Sequence, residues 1–431
     1  MISTEALYEI FKKHSAVVTD TRNIKKGDIF FALRGPNFNA NTFAEKALQA
    51  GASYAVVDDP AFALNDQCIL VKDSLKCLQQ LALLHRLQMK IPIIGITGSN
   101  GKTTTKELIH AVLSKKFRTL ATAGNLNNHI GVPVTLLGLN KTHELAIIEM
   151  GANHIGEIKD LCAIALPDYG LITSIGKAHL EGFGSFEGVI KAKTELYDFI
   201  RKTKGKIFVY SENDLLMGLS SGAERILYGN KTNSLVKGQV TKVDPFVTVA
   251  WEKGNGKPKQ VIHSQLIGQY NFENILAAVC AGIYFGLKAQ EITDAIAAYV
   301  PSNNRSQLTR TEQNLVILDA YNANPSSLTA ALENFSLLEG NKIVIVGDML
   351  ELGSESTQEH RNIAGLIALK KFGKVIYVGP EFAKIKGEFE GQYFNDTDEA
   401  LVWLKKNPIL GATILVKGSR GIKLEKLLEA L

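Results

Sequence analysis

Apolar and polar positions follow two rhythms along this chain, and the places where the rhythm changes mark its parts. Residues 91–97 form an apolar run ending at a glycine-bearing turn, and residues 102–113 then repeat apolar positions three and four apart. A strand, a turn and a helix are expected there in that order. Upstream, runs at 28–33, 54–57 and 69–71 read as short strands, with helical patterns over 43–50 and 74–89, the second closed by Pro92. Downstream, strands at 145–150, 169–174 and 206–210 are separated by helical patterns at 154–165 and 186–201. This alternation predicts a parallel sheet with helices on both faces.

Between 235 and 266 the period drops to two, broken by Asp244-Pro245 and Gly254-Asn255-Gly256, which predicts an antiparallel meander appended to that sheet. Helices are expected at 271–287 and 289–299, and Pro301-Ser302-Asn303-Asn304 marks a boundary. Beyond it, strands at 314–320, 342–347, 374–378 and 412–417 alternate with helices at 326–338, 357–371, 397–406 and 421–430. The fold class expected is α/β in three domains: residues 1–90, a central phosphate-loop sheet over 91–301, and a doubly wound Rossmann-like unit over 302–431.

Length agrees, since 431 residues suggest roughly three domains of about 150 residues each. A net charge of +5 is small over this length, so no nucleic-acid partner is needed, while a mildly positive field suits an anionic substrate. Four scattered cysteines without a CxxC pair indicate a reducing, cytoplasmic compartment. The N-terminus lacks the basic and apolar regions of a signal peptide, and the longest apolar run, 275–287, is too short for a bilayer. No membrane insertion is expected. No surplus apolar helix stands out, so a monomer is expected.

The sharpest chemistry lies at Thr97-Gly98-Ser99-Asn100-Gly101-Lys102-Thr103-Thr104. A glycine-bearing turn between strand and helix presents backbone N–H groups and the positive helix end to phosphates. Lys102 would reach the terminal phosphates and the Thr103 hydroxyl a Mg²⁺ ion. The common spacing places a further glycine at position 96, which is Ile96 here. Glu149 ends the next apolar strand, where its carboxylate can complete a Mg²⁺ shell beside the loop. Other candidates stay open on the residues alone. His179 is a loop histidine after a strand, and Lys191 and Lys193 share a helix with Glu187 and Glu195, as a solvated charged face would. Asp319-Ala-Tyr-Asn-Ala-Asn-Pro-Ser reads equally as a ligand-facing loop or as helix caps. Asn271 and Asn274 read as a cap plus a buried polar residue, or as contacts to a base. Arg305, standing alone after a linker, says nothing by itself.

Taken in order, these pieces resemble the Mur ligase family over essentially the whole chain. The family writes its ATP loop Thr-Gly-x-x-Gly-Lys-Thr, which Thr97 to Thr103 match and which accounts for Ile96. The resemblance implies ATP contacts from Thr97 to Thr104, Asn271, Asn274, Arg305 and Asp319. It implies catalytic roles for Lys102, Glu149, His179 and Lys193. It also implies two Mg²⁺ ions, held by Thr103 and Glu149 and by His179 and Lys193. Several members carbamylate the lysine at this last position, which turns a repelling ammonium into an anionic oxygen ligand.

Within the family, Asn322-Ala-Asn-Pro-Ser and Asp348-Met-Leu-Glu-Leu-Gly followed by His360 look like the branch that adds D-alanyl-D-alanine. The Asp-Asn-Pro-Arg run of the diamino-acid-adding branch is not found. Asp20-Thr-Arg, Gly27-Asp-Ile-Phe-Phe-Ala-Leu and Gly35-Pro-Asn-Phe resemble the segment that binds the UDP-sugar precursor. Members typically continue Phe-Asp-Gly-His, where this chain has Phe38-Asn39-Ala40-Asn41. Thr21, Arg22, Gly35, Asn128, Tyr321, Asn322 and Asn324 are the substrate-binding residues so implied. The implied reaction is ATP-dependent joining of D-alanyl-D-alanine to UDP-N-acetylmuramoyl-tripeptide through an acyl phosphate. The 301–305 region would serve as a hinge for closure before chemistry. Rival readings are another amide ligase of the superfamily, such as a diamino-acid-adding or folylpolyglutamate synthase-like enzyme, and a nucleotide-switched interaction protein.

Overall fold

The computed structural model describes residues 2–14, 16–254, 259–301 and 305–431. The turn expected at Asn255-Gly256 and the boundary at 302–304 lie outside the described residues.

Three sheets carry the fold. In the N-terminal part, Val17–Val18, Ile29–Phe31, Tyr54–Val57 and Cys68–Leu70 pair in that order, all parallel. The helix Ser74–Gln88 packs on them together with a helix the pattern did not announce, Thr4–Phe11, whose start is capped by Ser3. The Asn39-Ala40-Asn41 run has a local structural use here. Asn41 is fully buried, donates to Asp58 Oδ1 and Asn39 Oδ1 at 2.8 Å each, and accepts from Asp58 N at 3.0 Å.

In the central part we label β1 (Ile93–Thr97), α1 (Lys102–Leu113), β2 (Leu145–Glu149), α2 (Glu157–Ala165), β3 (Tyr169–Ile172), α3 (Phe186–Thr203) and α4 (Asn271–Tyr284). β1 lies between β3 and β2 in a nine-stranded sheet. All five β1 residues are buried, as a parallel strand covered on both faces requires. The pairing is parallel up to a single bridge, Tyr228 to Val236, and then continues as an antiparallel meander through Val236–Val243, Phe246–Lys253 and Gln260–Ile267. Register does the positioning: Ile96 pairs with Glu149 and Thr97 with Ile172, so the carboxyl ends of all three strands meet at the turn after β1.

In the C-terminal part we label β4 (Leu315–Asp319), α5 (Pro325–Ser336), β5 (Lys342–Gly347), α6 (Ser356–Lys370) and β6 (Thr413–Lys417). β6 sits between β4 and β5, and the sheet is parallel except for the edge strand Gln307–Arg310. Leu328 and Leu332 of α5 and Ile363 and Ile367 of α6 bury in one core, whereas Ala400, Leu404, Leu424 and Leu427 bury in another. The α-helix expected at 421–430 is instead two 3₁₀ segments, Arg420–Ile422 and Leu424–Ala430, because Lys423 adopts φ +61° between them. Among the described residues no helix is long and apolar enough to cross a membrane.

Candidate functional site

The turn after β1 is laced to β3 and its following loop. Ser99 N donates to Ser174 O at 2.8 Å, Asn100 N to Ser174 Oγ at 3.1 Å, and Thr173 Oγ1 to Asn100 O at 2.6 Å. Two glycines make this closeness possible. Gly98 has φ +144° and Gly101 φ +80°, and a Cβ on Gly101 would lie 2.6 Å from Asn274 Oδ1. Asn274 itself accepts from Thr105 Oγ1 at 2.9 Å and donates to Asn271 Oδ1 at 2.8 Å, so the pair braces the loop from behind. Lys102 Nζ donates to Gly98 O at 2.6 Å, and burial lowers the pKa of its ammonium.

Glu149 is 1% exposed, with Oε1 accepting from Thr103 Oγ1 at 3.1 Å and from Asn127 Nδ2 at 2.8 Å. Its Oε2 is buried without a hydrogen-bond partner, 3.9 Å from the buried Lys106 ammonium. A hydroxyl and a carboxylate side by side, one oxygen unspent, make the hard-oxygen donor pair that Mg²⁺ prefers. Among the described residues no group of three or more His, Cys, Asp and Glu side chains is arranged to hold a metal.

Lys193 and Lys191 part company in the structure. Lys191 faces solvent, whereas Lys193 is 1% exposed, its Nζ donating to Ala152 O at 3.4 Å and lying 5.2 Å from the Phe183 ring centroid. Burial, aided by the charge of Lys102, pushes the Lys193 pKa down to about 7. The solvated charged face expected from the sequence fails for Lys193, which falls on the buried stripe of Val189, Ala192, Leu196 and Ile200 on α3. His179 pairs with Glu351 of the C-terminal part, and both residues hold left-handed backbone, at φ +52° and +63°. Strain of that kind persists only where the surroundings hold it.

A cavity of about 1120 Å³ opens over these groups. It is lined by Ser99 to Thr104, Asn128, Glu149, His179, Asn271, Asn274, Arg305, Asp319, Tyr321, Asn322 and Asn324, and Gln79 of the N-terminal part reaches its rim. Thr97, Gly98 and Lys193 stand behind this lining. Thr21, Arg22 and Gly35 do not join it; Arg22 is exposed and paired with Asp20, and open space surrounds Gly35. Asn128 caps the helix Gly131–Leu137, its Oδ1 accepting from Ile130 N and Gly131 N.

The C-terminal part is fastened across the cavity. Asn324 Nδ2 donates to Asn100 Oδ1 at 2.8 Å, Lys177 Nζ to Glu359 Oε1 at 2.6 Å, and Lys177 N to Ser326 Oγ at 3.1 Å. Asp319 accepts from Ser306 N and, at 2.7 Å, from the buried Lys417 ammonium. Sequence reasoning missed Asn127, Lys106, Glu351, Lys417 and Arg420. Lys417 had one signal, a polar residue ending an apolar strand, but only the β4–β6 register sets it opposite Asp319.

Geometry of this kind defines a phosphate-loop enzyme whose second α/β unit lines the same cavity. The Mur ligase middle domain matches residues 96–282, and the Mur ligase glutamate ligase domain matches residues 304–420. The chain is 34% identical to the UDP-N-acetylmuramoyl-tripeptide--D-alanyl-D-alanine ligase of Bacillus subtilis, covering 96% of this chain and 92% of that one. Identity to the Escherichia coli ligase of the same name is also 34%, over 96% and 93%. A crystal structure of MurF from Acinetobacter baumannii superposes with a TM-score of 0.88 at 29% identity, covering 99% and 98% of the two chains. MurF ligase from Thermotoga maritima in complex with ADP gives 0.85 at 25% identity, covering 98% and 97%. The chain belongs to the Mur ligase family, and it is a ligase.

Proposed function

We propose that this protein joins D-alanyl-D-alanine to UDP-N-acetylmuramoyl-tripeptide with hydrolysis of ATP to ADP and phosphate, in cytoplasmic peptidoglycan precursor synthesis. The observation that carries the reading is the full-length likeness to ligases of that name, together with a single cavity bordered by all three parts of the chain. Residues 1–90 hold the UDP-sugar end, 91–301 hold ATP, and 302–431 bring the dipeptide. The enzyme acts as a monomer, which sedimentation tests.

A carboxylate is a poor acyl donor because its leaving group would be oxide. The γ-phosphoryl group therefore passes from ATP to the tripeptide carboxylate, giving an acyl phosphate and ADP. The dipeptide amine attacks the acyl carbon, the amide forms, phosphate leaves and the amine loses a proton. Catalysis is chiefly a matter of positioning and charge neutralisation. Lys102 and the 98–103 amides stabilise the phosphoryl group in flight. Arg305 and Asp319 reach the nucleotide from the C-terminal part, and Asn271 and Asn274 hold the loop in shape. Thr103 and Glu149 would hold Mg²⁺, which when bound neutralises phosphate charge. His179 and Lys193, the latter if carbamylated, would hold or orient a second ion, which when bound would neutralise charge on phosphate and substrate carboxylate. Intact-mass and crystallographic measurement of Lys193 tests the modification; a free amine remote from metal removes that role.

The test of the function measures phosphate release with ATP and UDP-N-acetylmuramoyl-tripeptide, with and without D-alanyl-D-alanine. Release that requires the dipeptide is expected; indifference to it overturns the reading.

A further inference from the structure

Ser306, at the start of the C-terminal part, holds left-handed backbone at φ +47° although it carries a Cβ. Such a conformation persists where the surroundings over-determine it. Here they do. Ser306 is 8% exposed, its N–H donates to Asp319 Oδ1 at 3.2 Å, and its hydroxyl meets the Tyr270 hydroxyl at 2.9 Å. The Asp319 contact lies within the C-terminal part, because the edge strand Gln307–Arg310 pairs with β4. The Tyr270 contact crosses to the central part.

Tyr270 is itself held. It stands directly before α4, and its ring lies against Gly268, which has φ +96° and where a Cβ would be 2.3 Å from a ring carbon. Burial and the charge of Asp319 push the phenol above its usual range, so the hydroxyl keeps its proton and pairs as a neutral group. The same turn touches the C-terminal part once more, where Gln269 N donates to Asn334 Oδ1 at 3.0 Å. The residue after Tyr270 is Asn271, which begins the Asn271–Asn274 brace behind Gly101. A short path therefore runs from the phosphate loop through this turn to Ser306.

Arg305 stands at the end of that path. Its guanidinium lies 3.6 Å from the centroid of the Tyr321 ring and close enough to Lys102 for its charge to act on that ammonium. Resting on the nucleotide role given to Arg305 above, we propose that Tyr270 is a positioning residue for ATP: its hydroxyl fixes Ser306, and Ser306 so fixed aims Arg305 into the cavity beside Lys102. Asp319 cannot supply this alignment alone, since it shares a sheet with the strand that follows Ser306. Tyr270 ties Arg305 to the element that braces the phosphate loop, so loop and cation are set together.

The experiment measures phosphate release and thermal melting of the full chain, with ATP, UDP-N-acetylmuramoyl-tripeptide and D-alanyl-D-alanine. The variants are Tyr270→Phe, Ser306→Ala and Arg305→Ala, with Tyr270→Phe also combined with each of the others. Tyr270→Phe keeps the ring on Gly268 and is expected to raise KM for ATP about threefold to tenfold, the worth of one hydrogen bond. Ser306→Ala should do the same, and the two together should cost no more than either alone. Arg305→Ala raises KM for ATP by itself, and adding Tyr270→Phe to it should cost less than about twofold more. A hydroxyl that serves stability alone would lower the melting temperature and cost the same in both backgrounds. Unchanged KM for ATP in Tyr270→Phe overturns the proposal, as do additive losses in either pair. Arg305→Ala with unchanged KM for ATP removes the nucleotide role of Arg305 and this proposal with it. An impaired Arg305→Ala beside a normal Tyr270→Phe overturns the proposal alone.

Discussion

Asn324 touches Asn100 across the cavity, its side-chain amide donating to Oδ1 at 2.8 Å, while its own Oδ1 caps α5 by accepting from Ser327 N at 2.9 Å. One side chain thus starts the helix of the C-terminal part and fastens that part to the phosphate loop. The two duties separate by mutation. Asn324→Ala loses both and is expected to cost about 1 kcal/mol of stability. Asn324→Ser keeps a capping oxygen and should stay within about 0.5 kcal/mol of wild type, but it cannot reach Asn100. Both variants should lower kcat/KM for ATP about twofold to tenfold, the worth of one hydrogen bond. Thermal melts beside steady-state kinetics decide it; full activity in the serine variant removes the clasp from the mechanism.

On the proposed function Lys102 and Glu149 divide the phosphate chemistry between them, and each role carries its own signature. Lys102→Ala should cost about a hundredfold to a thousandfold in kcat, the usual loss when one preorganised donor leaves a transition state. Glu149→Gln preserves shape but removes charge beside Thr103 Oγ1. Its Mg²⁺ titration should shift to higher concentration by about tenfold or more, while chelation by EDTA stops both forms. An unchanged Mg²⁺ requirement in Glu149→Gln places the ion elsewhere.

Glu273 gives the fold a pH dependence of its own. Burial, followed by the nearby charge of Glu212, raises its carboxyl to about 7. The unfolded chain titrates this group near its ordinary value of 4.5. Stability from the protonated form is therefore full below that value and is lost as pH rises through about 7. Glu273→Gln should melt above wild type at pH 8 by an amount worth about 1–2 kcal/mol, with the gap closing toward pH 5. A gap that does not change with pH assigns the effect to packing.

What the sequence disclosed, and what it hid, follows from the range of the interactions. β1, α1 and β2 were legible because a buried parallel strand is continuously apolar and Gly98, Gly101 and Lys102 sit at a fixed spacing. The helix Gly131–Leu137 was hidden, since it opens on Gly-Val-Pro-Val and its cap, Asn128, lies outside the apolar pattern. The 3₁₀ stretch after β6 was misread because apolar spacing there fits an α-helix, and no pattern announces the left-handed Lys423. At the site, residues contiguous with a motif were found. Asn127, Lys106 and Arg420 were not, because each acts through a partner supplied by register or by another part of the chain.

Asn41 tests that last point in the N-terminal part, where the chain departs from the Phe-Asp-Gly-His pattern. Burial alone would raise the Asp58 carboxyl, but hydrogen bonds from Asn41, Ser74 and Arg34 hold it below its ordinary value. A depressed carboxyl contributes stability above its unfolded pKa, and that contribution is lost as pH falls through the folded one. Asn41→Ala strips Asp58 of a donor at 2.8 Å and leaves Asp58 N without its acceptor at 3.0 Å. The expected cost near neutral pH is about 1–3 kcal/mol, the penalty of orphaning buried polar groups. Part of that cost is tied to the ionised carboxylate, so the gap between wild type and variant should narrow below about pH 4. Urea melts at pH 7 and pH 3.5 measure it. A constant gap makes Asn41 a packing residue, whereas a narrowing one makes the Asn39–Asn41 run a support for Asp58.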